Sequence, residues 1–426
     1  MIDPNDQELW RFLSHFSYLG PLGLVGVVSW SVWVTRWLLS RRYRPIDNLY
    51  RTTTSVVVPS YREDPDVFLR CLPSWLAEDP NEVILVVDEG DTTLLERLNA
   101  EVDDPRVKVI PFRHKGKRSA LGVGIRAATQ DVIVLTDSDT SWEPGLLAAV
   151  QMPFVDPKVG GVGTRQSVYM RTSSIWRIVA DWMVNVRYLD FVPAMGRAGA
   201  VACLSGRTAA YRRSVIVPLL PQLEGEYFLG KLCNAGDDGR LTWLVLGQGF
   251  RTVHQGNARA VSMFPDTFRA FAKQRIRWSR NSYRCYFTAI RKGWLWHQPL
   301  VTQITVLQIL ATPLSMAGAL TFLILSIVGS HWTLVALSLG WLVGGRAIRG
   351  ISHLREHPRD VIYLPIIVAA TIVVALPIKA YAFATMNRQG WLTRSARQIG
   401  GEGQTEASLH HGRPAGTAGD VLAEAA

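Results

Sequence analysis

Three short stretches of this chain have the residue types and spacing that phosphate and proton chemistry require. The first is Asp137-Ser138-Asp139, which follows a run of five apolar or β-branched residues. Two carboxylates one residue apart on a tight turn are hard oxygen donors for a divalent cation such as Mg²⁺ or Mn²⁺, and such a cation neutralises a diphosphate. Standing alone, an acidic triplet of this kind is more often a solvated turn, so the other two stretches decide its reading. The second is Gly236-Asp237-Asp238-Gly239-Arg240-Leu241-Thr242. Its adjacent carboxylates disfavour each other's ionisation, which suits one of them to act as a base near neutral pH. The third, Lys115-Gly116-Lys117-Arg118, sets three cations around one glycine, where a backbone can approach phosphate closely; a solvated basic loop is the competing reading.

These residues need elements to hold them. Residues 131–136 read as a buried strand of a parallel sheet, and open α/β sheets bind ligands just beyond the carboxyl ends of such strands. Between about 52 and 260, strands are expected at 55–58, 83–87, 107–110 and 131–136, with helices at 66–78 and 121–128. This alternation predicts a doubly wound, mostly parallel sheet, with Asp88 and Asp137 along one edge. A further helix, capped by Asp266, carries Phe268, Phe271, Trp278 and Tyr283 close to one face and Arg269, Lys273, Arg280 and Arg284 elsewhere. A basic amphipathic helix of this kind lies on an anionic membrane face.

Composition points the same way. Hydrophobic residues make up 48% of the 426 and charged residues only 19%, with mean hydropathy +0.10, so membrane segments are expected. A net charge of +11 suits a phosphorylated substrate or an anionic membrane; no basic repeat or motif supports nucleic acid as a partner. Four scattered cysteines read as free thiols in a reducing compartment. Residues 12–35 are uncharged and are followed by Arg36, Arg41, Arg42 and Arg44, which predicts a crossing helix with the next domain in the cytoplasm. The missing basic n-region argues against a cleaved signal peptide. Residues 301–328, 331–345 and 361–378 are expected to cross as well, the last broken by Pro365 and Pro377. The expected division is a membrane helix over 1–44, a catalytic domain over 45–260, interface helices over 261–299, a membrane region over 300–386, and a terminal segment over 387–426.

Several motifs occur in one order: Pro59-Ser-Tyr-Arg-Glu-Asp64, Val86-Val-Asp-Glu-Gly-Asp91, His114-Lys-Gly-Lys-Arg118, the acidic triplet, Cys203-Leu-Ser-Gly-Arg207, the Asp237-Asp238 segment, Gln274-Arg-Ile-Arg-Trp278 and Trp391-Leu-Thr-Arg394. Over roughly residues 50–395 this ordered set resembles membrane-embedded, inverting GT-A glycosyltransferases, closest to hyaluronan synthases and more distantly similar to chitin and cellulose synthases. The resemblance implies a Rossmann-like α/β GT-A domain in the cytoplasm, interfacial amphipathic helices and a transmembrane bundle, at the plasma membrane. It implies a UDP-sugar donor, a growing glycan acceptor, and Mg²⁺ or Mn²⁺ on Asp137 and Asp139.

By the same resemblance, Tyr61, Glu63, Asp88, Lys117, Arg118, Asp137 and Arg277 hold the nucleotide, and Trp391 and Arg394 close over it. Ser205, Gly206, Gln274 and Trp278 hold the acceptor, with Asp238 as base beside Asp237. Three positions depart from the pattern: Gly239 stands where the family has arginine, Arg207 where it has proline, and Leu392 where it has glycine. Three crossings after the catalytic domain would leave the C-terminus outside, whereas the Trp391 motif belongs inside, so the two expectations conflict. Four spans are few for a channel, which makes a homodimer the expected assembly. A single-addition transferase on a lipid-linked acceptor, or a non-catalytic sugar-nucleotide sensor, are the alternatives. A sensor is expected to lose the acidic triplet, the base or the Gln274–Trp278 motif, and this chain keeps all three.

Overall fold

The computed structural model describes Arg11 and residues 23–388, except His114. After helix α1 (Leu24–Arg41), the first half alternates β1 (Thr54–Ser60), α2 (Pro65–Leu76), β2 (Glu82–Asp88), α3 (Thr92–Glu101), β3 (Val107–Phe112), α4 (Lys117–Ala127) and β4 (Val132–Thr136). The four expected strands are all present. β1 is buried at every position because helices cover both faces of the sheet. Its side chains alternate accordingly: Val57 packs with Ile84, Val86 and Ile133 on one face, while Val56 and Val58 join Val83, Leu85 and Val134 on the other.

Strands β5 (Thr140–Trp142), β6 (Val159–Val168), β7 (Thr208–Arg212) and β8 (Arg251–Ser262) complete an eight-stranded sheet in the order β3-β2-β1-β4-β7-β6-β8-β5. The four expected strands pair in parallel, but the later strands do not all follow. β7 runs antiparallel to both neighbours, with Val134 opposite Ala210 and Val162 opposite the same residue, and β5 is antiparallel to β8. The sheet is therefore mixed, and β7 delivers the 203–207 segment to the end of β4.

Close packing sets the position of α4. A Cβ on Gly124 would lie 2.4 Å from Cγ1 of Val57, so only glycine lets this helix lie so near β1. That approach brings Lys117, the first residue of α4, to the ligand edge of the sheet.

On the same face of the sheet as α4, α5 (Ile175–Val186) runs into one π-helical turn, Arg187–Phe191. α6 (Asp237–Gly247) begins at the paired carboxylates, and α7 (Phe268–Arg291) is capped by the Thr267 hydroxyl rather than by Asp266. α8 (Leu300–Val328) and α9 (Trp332–Arg349) follow, with α10 (Ala375–Ala384) last.

Among the described residues α8 alone is long and apolar enough to cross a membrane. At 29 residues it spans roughly 43 Å against a hydrocarbon core of about 30 Å. α1 and α9, with 18 described residues each, pack beside it. The expected break over 361–378 is a change of helical pitch instead. Pro365 sits in the first turn of Leu364–Ala369, where no amide donor is needed. A π-helical turn, Ala370–Val374, then widens the helix just ahead of Pro377.

One buried ionic knot joins the sheet-side helices to the segment after α9. Arg171 Nε donates to Asp181 at 2.8 Å and its other nitrogen to Asp360. His353 Nε2 faces Asp360 at 2.9 Å, and its Nδ1 faces the Asn185 amide at 3.1 Å. Burial holds the imidazole below its ordinary pKa despite Asp181 and Asp360. Asp181, His353 and Asp360 converge closely enough to ligate a metal, but Arg171 already bonds both carboxylates.

Candidate active site

A cleft opens at the carboxyl ends of β1 and β4 and is closed on its far side by α6 and α7. Ten of the residues singled out from sequence line it: Tyr61, Glu63, Lys117, Asp137, Ser205, Gly206, Asp237, Asp238, Arg277 and Trp278. The loops are tied to one another. Ser138 donates a short hydrogen bond to Glu63, which links the turn after β4 to that after β1. The Leu204 amide donates to Thr242 Oγ1 at 3.0 Å, and that hydroxyl donates to the Asp238 carbonyl at 2.7 Å. The segment before β7 is thereby held against the first turn of α6.

The electrostatic centre is Lys117. Its ammonium lies 2.7 Å from Asp137 Oδ1 and 3.2 Å from Asp237 Oδ2. Burial opposes its charge, but Asp137, Asp237 and Asp238 outweigh that cost and push its pKa above the usual lysine value. Asp238 moves the other way for an acid. Burial first, and the neighbouring Asp237 second, raise its carboxyl pKa, against the Gly239 amide at 2.8 Å, Lys117 and Arg187. Three carboxylates thus converge on one half-buried cation. Their all-oxygen donor set fits Mg²⁺ or Mn²⁺, and the place held by the ammonium shows that the pocket is built for positive charge.

One wall of the cleft is aromatic. Trp278 meets Phe264 edge-on with centroids 6.2 Å apart. Arg207 lies 3.9 Å from the Phe264 centroid and 5.1 Å from that of Trp278, and Arg275 lies 4.9 Å from the Trp278 ring. The arginine at the family's proline position is therefore a stacking partner that fixes the tryptophan.

The other departure is also explained. A Cβ at Gly239 would meet Cys285 Sγ at 3.2 Å, so a larger residue there would press on the Cys285 side chain. Arg240 instead turns away to Glu226, at 3.1 Å.

Arg118 is a correction. It does not face the cleft: its guanidinium is buried, bonded to Glu226 at 2.8 Å and to the Leu223, Ala235 and Gly236 carbonyls. One residue beyond Lys117 on a helix, it points about 100° away and clamps the loop that presents Asp237. Arg118→Met is expected to destabilise the fold by about 3–5 kcal/mol, because it removes one of the two arginines on buried Glu226 and the donor to three carbonyls, while the folded fraction keeps its donor affinity. Thermal unfolding and calorimetry on the same sample check both halves.

Asp139 is likewise off the cleft wall. It is buried behind the turn, where its charge is among those pushing up the Cys71 thiol. Asp88 caps its own turn, accepting from the Gly90 amide at 2.6 Å, and neither it nor Gln274 lines the cleft. Trp391 and Arg394 lie outside the described residues.

Sequence reading missed Arg187, which lines the cleft from the π-helical turn and donates to the Cys203 carbonyl at 3.0 Å. A π turn redirects one side chain and leaves no periodic signal. Asn281 and Tyr286, also in the wall, follow the Trp278 motif by one and two helical turns and were within reach of that spacing.

A mixed sheet with an acidic turn after its central strand, a carboxylate pair on a lysine and an aromatic wall fits a sugar-nucleotide transferase of the GT-A kind. The chain belongs to glycosyltransferase family 2: the family described as "Glycosyltransferase like family 2" matches residues 51–281. It is 32% identical over 350 residues to an N-acetylglucosaminyltransferase of Azorhizobium caulinodans, covering 80% of this chain and 87% of that one. An N-acetylglucosaminyltransferase of Rhizobium meliloti is 29% identical over 373 residues, 82% and 83% of the two chains. The mannosyltransferase PcManGT from Pyrobaculum calidifontis, solved with GDP-Man and Mn²⁺, shares the fold at a TM-score of 0.57 and 20% identity, over 82% of this chain and 97% of that one.

Proposed function

We propose that this glycosyltransferase moves N-acetylglucosamine from its UDP-sugar, with inversion, onto the growing end of a β-linked glycan at the inner face of a membrane. The observation that carries the reading is the half-buried Asp238 beside Asp237 and Lys117, in one cleft with Trp278. Asp238 accepts the proton of the acceptor hydroxyl as that oxygen attacks the anomeric carbon from the face opposite the diphosphate. The bond from the anomeric carbon to the diphosphate breaks, and its electron pair leaves on the UDP. Lys117 and Arg277 neutralise that charge, and Trp278 stacks on the acceptor ring to hold it in line. Asp137, with Asp237 beside it, would hold Mg²⁺ or Mn²⁺, which supplies further charge neutralisation to the diphosphate. Tyr61 gives the uracil a flat face.

The name carried by the relatives favours a single donor over the two that a hyaluronan-like copolymer needs. The purified chain in lipid should turn over UDP-N-acetylglucosamine and release UDP. Transfer from UDP-glucose or UDP-glucuronate alone, without N-acetylglucosamine, would overturn the donor assignment. Excess EDTA should stop turnover and Mn²⁺ restore it; full activity in EDTA would remove the metal from the reading.

Elongation with export is the second part of the proposal. Trp278 lies on α7, which leads into the apolar helix α8, so the acceptor end sits beside the membrane region. The chain is read as multi-pass, with α1, α9 and the 364–384 run crossing beside α8 and two copies completing a channel. Proteoliposomes fed donor on one side should accumulate long chains on the other. A uniform one-sugar product kept on a lipid would refute this.

The raised Asp238 pKa gives a pH signature. The base works only when deprotonated, so the rate must fall as pH drops through that raised pKa. The acid limb of kcat should lie above the ordinary carboxylate range of about 4. A limb at or below that value, with the protein still folded, would exclude Asp238 as the base.

A further inference from the structure

Between α1, α8 and α9 lies an apolar cavity of about 200 Å³, remote from the cleft. Leu320, Leu323 and Leu342 give it a hydrocarbon wall, and Arg346 and Arg349 stand at the end of α9 that faces the catalytic domain. Arg349 donates to Ser29 Oγ at 2.8 Å and lies 4.6 Å above the Trp30 ring, but its Nε is buried without a partner. Among the described residues, no hydrogen bond or ion pair from the Arg346 side chain is found, and no carboxylate pairs with either guanidinium. Arginine does not shed its proton, so two such cations against an apolar wall call for a counter-anion. A soluble anion would satisfy the guanidinium groups and leave the hydrocarbon slot empty. An amphiphile satisfies both.

We infer that this cavity binds an anionic phospholipid, its phosphate on Arg346 and Arg349 and one acyl chain along α8 between α1 and α9. The inference rests on the reading that these three helices lie in the bilayer. It identifies a lipid site separate from the glycan and nucleotide chemistry, on the helices that connect to the acceptor side through α7.

Native mass spectrometry of the full chain in neutral detergent, titrated with phosphatidylglycerol or phosphatidylcholine of matched acyl chains, tests it. Phosphatidylglycerol should bind about tenfold tighter or more, as two charge-assisted contacts require. Arg346→Gln with Arg349→Gln should bring it down to the phosphatidylcholine level, and the paired lysine substitutions should keep the preference. Ala319→Trp fills the slot and leaves the charges, so it should lose the lipid even if the glutamine variant fails to fold. Equal binding of the two lipids, or a preference that survives Ala319→Trp, would overturn the inference. So would displacement of the lipid by inorganic phosphate at low millimolar concentration, which would mark a free-anion site. A chain that stays folded and monodisperse without detergent would overturn the membrane reading, and the lipid site with it.

Discussion

Asp238→Asn is expected to leave the donor bound while slowing transfer by about 10²–10⁴. The substitution keeps the side chain's shape, and an amide oxygen still accepts from the Gly239 amide that now donates at 2.8 Å. Lys117 keeps its two carboxylate partners, Asp137 and Asp237, so the charge that faces the diphosphate changes little. Only the proton acceptor is lost. Donor affinity by calorimetry and single-turnover transfer separate the two effects. Asp237→Asn should slow transfer less and weaken donor binding more, because it removes a partner of Lys117. A larger rate loss at Asp237 than at Asp238 would exchange their roles.

Lys117→Met should lower stability by about 3–5 kcal/mol at neutral pH, the usual cost of removing one partner from a buried ionic cluster. Without the ammonium, Asp137, Asp237 and Asp238 repel one another, and burial already disfavours the charged form of Asp238. Losing Lys117 raises the Asp238 pKa in the folded chain further above its unfolded value. This part of the loss is therefore full at high pH and shrinks as pH falls through that raised value. Mn²⁺ should restore more of the melting temperature in the variant than in the natural chain, since it replaces the missing charge. An unchanged melting temperature, or equal metal responses, would mean that Lys117 is not the cation these carboxylates were built around.

The parts of this site that follow a periodic rule were readable in advance. The strands announced themselves by short Val- and Ile-rich runs, and the acidic turn after β4 falls where open sheets place ligands. Direction was not readable. β7 carries Thr-Ala-Ala-Tyr-Arg, which fits either orientation, and its antiparallel course depends on where the chain re-enters the sheet. Lys117 and Arg118 are adjacent cations whose fates diverge because a helix turns about 100° per residue, and the bonds that capture Arg118 come from about a hundred residues away. Gly239 looked like a lost arginine until Cys285 was seen in that space.

The Arg171–Asp181–His353–Asp360 knot has a consequence in time. Two of its members lie before residue 182 and two after residue 352, so the ribosome delivers them in separate instalments. At synthesis rates of about 5–20 residues per second the interval is on the order of ten seconds or more. Once residue 262 is made the sheet has all its strands, yet Arg171 and Asp181 still wait for the counterparts that will bury them. A nascent chain stalled before His353 would carry an open seam along α5, where a chaperone or protease finds purchase. Arrest sequences that hold Asp360 inside the ribosome or well clear of it should thus differ sharply in protease resistance at that seam, even though the catalytic residues have emerged in both.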